Sequence, residues 1–213
     1  MDIDGQGPPR EPAVRAPWPA LALAGSFLGL YALQGLAGDD AVVARFGFSP
    51  VELAQGRLSG LGTALFVHGG WAHAFLNALG ALAFGAPVAR LFGKGGGTLA
   101  FFGLFLICGA LSSLAYAGLN WGAPHMLVGA SGAVAGFMGA ASRLMGGGPG
   151  LAGFTSQPVL SMAAAWILVN LIIAVVGLGA VTGGAPIAWQ AHLAGYAVGL
   201  LLVGPFARLL RRA

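Results

Sequence analysis

Four polar residues define the chemistry open to this chain: His73, Asn77, Ser131 and His192. His73 and Asn77 are four positions apart, so on a helix they share a face. Ser131 lies in Gly129-Ala130-Ser131-Gly132, and His192 lies in Ala191-His192-Leu193-Ala194-Gly195. A serine hydroxyl is a poor nucleophile until a neighbouring base removes its proton. A neutral histidine is such a base, so Ser131 and His192 form a candidate catalytic dyad. The tetrahedral intermediate of acyl transfer needs donors aimed at its oxyanion. His73, Asn77 and the Ser131 backbone N–H are candidates for that task.

Other chemistries are excluded by what the chain lacks. Its six acidic residues are Asp2, Asp4, Glu11, Asp39, Asp40 and Glu52, and no side-chain carboxylate occurs from Leu53 to Ala213. A paired-carboxylate mechanism, a zinc site of the His-Glu-x-x-His type and a proton relay through buried acids are therefore not available beyond that point. No cofactor and no metal site is expected. The segment Gly93-Lys94-Gly95 is not a phosphate-binding loop. Such a loop needs Ser or Thr after the lysine and a glycine six positions before it, and here those residues are Gly95 and Val88.

The elements that must position these residues are membrane helices. Hydrophobic residues make up 57% of the 213, and charged residues only 8%. Soluble domains are about 25% charged, and disorder needs low hydrophobicity, so the composition points to an integral membrane protein. At about 20 apolar residues per span, the length accommodates roughly six helices and no second folded domain. Residues 1–17 read as a short cytoplasmic tail, and 18–213 as a single membrane domain. A signal peptide over the first apolar run is the competing reading. The long, acid-containing leader and the near-spanning length of the run weigh against it.

The expected spans are 18–38, 70–89, 98–117, 131–145, 158–178 and 187–206, with a long connection over 39–67. With both termini on one side, that side carries Arg10, Arg15, Arg90, Lys94, Arg143, Arg208, Arg211 and Arg212, and the other only Arg45 and Arg57. The positive-inside rule makes the first side cytoplasmic. Spans two, four and six then begin at the outer surface, which brings His73, Asn77, Ser131 and His192 to one shallow layer. Polar residues at membrane depth are costly and functional by default. Gly132, Gly136 and Gly139 in span four, with Gly195 and Gly199 in span six, permit close helix approach.

At these residues the sequence resembles the rhomboid family of intramembrane serine proteases. The shared pattern is His68-x4-His73-x3-Asn77, Gly129-x-Ser131-Gly132 and Ala191-His192-x-x-Gly195, in order along about residues 18–206. The resemblance implies an all-α bundle of six transmembrane helices that cleaves transmembrane segments of other proteins near the outer face. It implies Ser131 as nucleophile, His192 as base, His73 and Asn77 as oxyanion donors, and His68 as a structural residue hydrogen-bonded where the loop meets span two. The family often carries Trp-Arg late in the first loop, a Glu near the end of helix two, and an aromatic four residues after the serine. Here those positions are Ser59-Gly60, Ala89 and Ala135.

The implied partners are transmembrane protein substrates and the lipid bilayer, with no nucleic acid. The expected location is the cell membrane, as a multi-pass protein. One lysine against nine arginines suggests a GC-rich bacterial genome and hence a bacterial inner membrane. Cys108 reads as a small core residue, and His125 as a loop residue. Trp71 and Trp121 read as interfacial. Two other classes compete: a catalytically inactive rhomboid-like protein that binds membrane clients, and a small transporter with a histidine-lined path. The first is disfavoured by the presence of both Ser131 and His192. The second leaves Gly129-x-Ser131-Gly132 unexplained.

Overall fold

The computed structural model describes residues 16–146, 150–176 and 187–211. Residues 1–15, 147–149, 177–186 and 212–213 lie outside the described set, which takes in most of the expected tail 1–17 and all of the expected loop 179–186. Among the described residues the fold is all-helical, with one isolated antiparallel bridge between Phe48 and Leu127.

The first long helix, α1, spans Trp18–Ala37 and starts at Pro17-Trp18-Pro19, where a missing proline N–H costs nothing. Gly38, with φ of +93°, ends it. The long connection folds into short pieces: α2 (Asp39–Phe46), α3 (Pro50–Ala54), α4 (Gly60–Thr63) and a 3₁₀ turn (Ala64–Phe66). Span two runs Trp71–Phe92. It comprises α5 (Trp71–Gly80), a π-helical segment (Ala81–Gly85) and α6 (Ala86–Phe92). Pro87 lies two residues past the end of the π segment. Its ring removes one helical donor and clashes with the carbonyl four residues earlier, and a local widening relieves that clash. Next come α7 (Gly96–Leu119), α8 (Ser131–Ser142), α9 (Gln157–Val176) and α10 (Trp189–Leu210).

Five of these helices are long and apolar enough to cross a membrane. The sixth, α8, has 12 residues, or about 18 Å at 1.5 Å per residue, short of a roughly 30 Å hydrocarbon core. It tolerates that length because it is sheathed in protein. Every residue from Gly132 to Ser142 except Val134 and Met138 is buried, chiefly against α7 and α10. The approach to α10 is backbone on backbone. A Cβ at Gly195 would collide with Gly132, one at Gly199 with Gly136, and one at Gly139 with Tyr196. The expected role of these glycines is borne out in packing terms. Phe101, Phe105 and Phe137 fill the space beside them, and Cys108 is fully buried there. By contrast α9 touches α8 and α10 lightly and turns Ile167, Leu168, Leu171, Ile172 and Val175 outward. Such an apolar face on a helix of spanning length belongs against lipid.

Candidate active site

Ser131 is the first residue of α8, and the chain reaches it through a braced loop. The Phe48 and Leu127 backbones exchange hydrogen bonds of 2.9 and 2.7 Å, and Gly129 N–H donates to the Ala64 carbonyl at 2.9 Å. Gly129 adopts φ of +104°, a conformation that disfavours any side chain. A Cβ there would also lie 2.5 Å from His73 Nε2 and Cε1. The glycine therefore makes the turn into α8 and leaves room for the His73 ring.

The two residues expected to form a dyad lie within hydrogen-bond distance of each other. His192 Nε2 lies 2.8 Å from Ser131 Oγ. The two residues are 61 positions apart in sequence, on helices brought together by the glycine contacts just described. His73 and Asn77 line the same cavity of about 330 Å³ as Ser131 and His192. Gly69 N–H donates to His73 Nδ1 at 3.4 Å. That leaves the ring proton on Nε2, the atom facing Gly129 and the start of α8. Asn77 donates one amide hydrogen to the His73 carbonyl at 2.9 Å, and its second amide hydrogen is not used by that bond. Ser131 N–H, at the first turn of a helix, has no intrahelical acceptor and sits at the positive end of the helix dipole.

His68 departs from expectation in one respect. It is fully buried and hydrogen-bonded where the loop meets span two, but through its main chain. Its N–H donates to Gln34 Oε1 at 3.1 Å, and its carbonyl accepts from Gln34 Nε2 at 2.7 Å. The ring packs against Phe27 and His73, and neither ring nitrogen meets hydrogen-bond geometry to a protein group. Burial first, and the neighbouring His73 second, push its pKa down to about 3, so the ring is neutral. His125 is exposed in the loop before Ser131 and does not line the cavity.

One member of the site was missed by the sequence reading. Asn170, on α9, is fully buried and places Oδ1 3.0 Å from His192 Nδ1. Its amide nitrogen donates to the Trp166 carbonyl at 2.8 Å, and Trp166 Nε1–H reaches the His192 carbonyl at 3.4 Å. The signal was present, since Asn170 is a lone amide in an otherwise apolar stretch from Met162 to Val176. It went unread because the polar residues considered were those at the outer starts of spans. Here α9 runs the other way and approaches that layer near its end.

Among the described residues no three His, Cys, Asp or Glu side chains gather as a metal ion would require. The arrangement defines a polytopic helical membrane protein with a serine–histidine pair at the rim of its bundle. The Rhomboid domain family model matches residues 55–208, and the chain belongs to the rhomboid family. No curated protein matches the chain.

Proposed function

We propose that this protein is an intramembrane serine endopeptidase that cleaves transmembrane segments of other membrane proteins near the outer face. The observation that carries the reading is the 2.8 Å contact between His192 Nε2 and Ser131 Oγ, set in a cavity lined by His73 and Asn77. In this mechanism His192 Nε2 takes the Ser131 proton as Oγ attacks the scissile carbonyl. The oxyanion forms beside Ser131 N–H, the free Asn77 amide hydrogen and His73 Nε2–H. His192 then passes its proton to the leaving amine. Water, activated by His192, hydrolyses the acyl-enzyme and restores the serine. Donors fixed before the reaction stabilise the developing charge without reorganising.

Two measurements test this together. Purified protein in detergent should label with a fluorophosphonate, which reacts with an activated serine, and should cleave a transmembrane reporter. Ser131→Ala should lose both while its thermal unfolding is unchanged, because one oxygen is removed and the small volume beside α7 and α10 is kept. Cleavage by Ser131→Ala at the wild-type rate would remove the serine-protease reading. An unlabelled, inactive wild-type protein would favour the alternative of an inactive rhomboid-like protein that binds membrane clients.

A further inference from the structure

We infer that Asn170 is the positioning residue of the base: its side-chain oxygen accepts the His192 Nδ1–H and thereby fixes the tautomer whose Nε2 faces Ser131. The inference rests on the proposed Ser131–His192 mechanism. The Asn170 amide orientation follows from its neighbours. Its nitrogen faces the Trp166 carbonyl at 2.8 Å, and a carbonyl can only accept. The atom 3.0 Å from His192 Nδ1 is therefore Oδ1, which has no proton to give. The hydrogen in that contact belongs to Nδ1, so Nε2 presents its lone pair to the Ser131 hydroxyl. A histidine in the other tautomer would put a proton where the base must accept one.

This contact supplies what α8 does not. The residue four positions after the serine is Ala135, whose methyl group offers His192 no ring to rest on. The supporting groups come from α9 instead. The Trp166 ring lies 5.9 Å from the His192 ring, tilted by 37°, and Asn170 holds the far nitrogen. A carboxylate would orient the ring equally well but would carry a charge to membrane depth, where a neutral amide costs far less. Asn170 does not line the cavity, so it acts on the base and not on the substrate. A competing explanation makes Asn170 only a helix-bonding residue, satisfied by the Trp166 carbonyl. That role needs no oxygen aimed at His192.

The test compares wild type, Asn170→Leu, Asn170→Ala and Asn170→Asp as full-length protein in detergent. Cleavage of the transmembrane reporter is read as kcat and KM, alongside the rate of fluorophosphonate labelling and thermal unfolding. Leucine keeps the volume without an acceptor, and alanine serves if leucine does not fold. Either should lower kcat about 10–100-fold, by analogy with the loss of a partner that orients a metal-ligating histidine, with KM nearly unchanged and labelling slowed in parallel. Asn170→Asp keeps an oxygen acceptor in either protonation state and should recover most of that loss. Wild-type kcat in the leucine and alanine variants would overturn the inference. So would equal impairment of the aspartate and leucine variants, which would mark a packing role. Failure of wild type to label and cleave would instead sink the protease reading itself, and the Asn170 role with it.

Discussion

At the scale of single residues, the site is a set of side chains whose hydrogen bonds define which atom carries each proton. Gly69 fixes His73, Asn170 fixes His192, and Gln34 fixes the peptide of His68. The ring of His68 is the exception, packed between Phe27 and His73 beside the Phe66 backbone, and its consequence is a pH dependence of stability. Its folded pKa is depressed to about 3, first by burial and second by His73, while the unfolded value is near 6.5. Above about pH 6.5 both states are neutral at this position and nothing is gained or lost. Below that, the unfolded chain binds a proton that the folded one refuses, so stability falls as pH drops toward the folded pKa. Between pH 7 and pH 5 this one ring should account for about 2 kcal/mol of lost stability. His68→Phe, which keeps an aromatic ring between Phe27 and His73, should lose less stability over that interval. Thermal unfolding of both proteins in detergent at the two pH values measures it. Parallel losses would show that His68 does not titrate as its burial requires.

At the scale of elements, the α8–α10 contact sets the Ser131–His192 distance. Gly199 packs on the Gly136 backbone and Gly195 on that of Gly132, where no side chain can move aside. Gly195 is three residues from His192, so widening this crossing draws the base off Ser131. Gly199→Ala should cost about 1–3 kcal/mol, the usual range for overpacking, and should lower kcat even in the fraction that stays folded. Unaltered stability and kcat would show that the two helices separate freely. These glycines, like the approach of Ser131 to His192 and the helices that carry them, were legible in the sequence, because small residues on facing helices and polar residues at span starts are both local signals. The π segment ahead of Pro87 was not, since a widened turn is a response to its neighbours. The shortness of α8 was legible too, since the span expected over 131–145 is already shorter than the others; its burial among other helices is what permits it. Asn170 needed the direction of α9 and its rotation toward His192, and both are tertiary facts. The pairing of Phe48 with Leu127 likewise joins two loops that no sequence period connects.

At the scale of the whole molecule, the site end and the basic end are opposite ends of the same helices. The Ser131–His192 contact and the His73–Gly129 approach bring the N-termini of α5, α8 and α10 to one layer. The bridge from Phe48 to Leu127 places the long first connection and the loop before α8 in that layer too. Arg90, Arg143 and Arg208 lie at or just beyond the C-terminal ends of α6, α8 and α10, away from the site. Lys94 lies in the turn from α6 into α7. At the site end the described basic side chains are Arg45 and Arg57, and Arg57 is paired with Glu52. Unequal distribution of Arg and Lys over short loops orients a membrane protein with the richer side in the cytoplasm. The packing thus ties orientation to the site: whichever face receives the arginines, the cavity opens on the other. Reporters fused after Lys94 and Arg143 should read cytoplasmic, as should one after Arg15, which the sequence places on the same side. Reporters within 39–60 and 118–128 should read external. An external signal at Arg143 combined with a cytoplasmic one at 118–128 would invert the molecule and turn the cavity toward the cytoplasm. Matching signals at those two sites would be more damaging, because α8 would then not carry the chain from the site layer to the basic end.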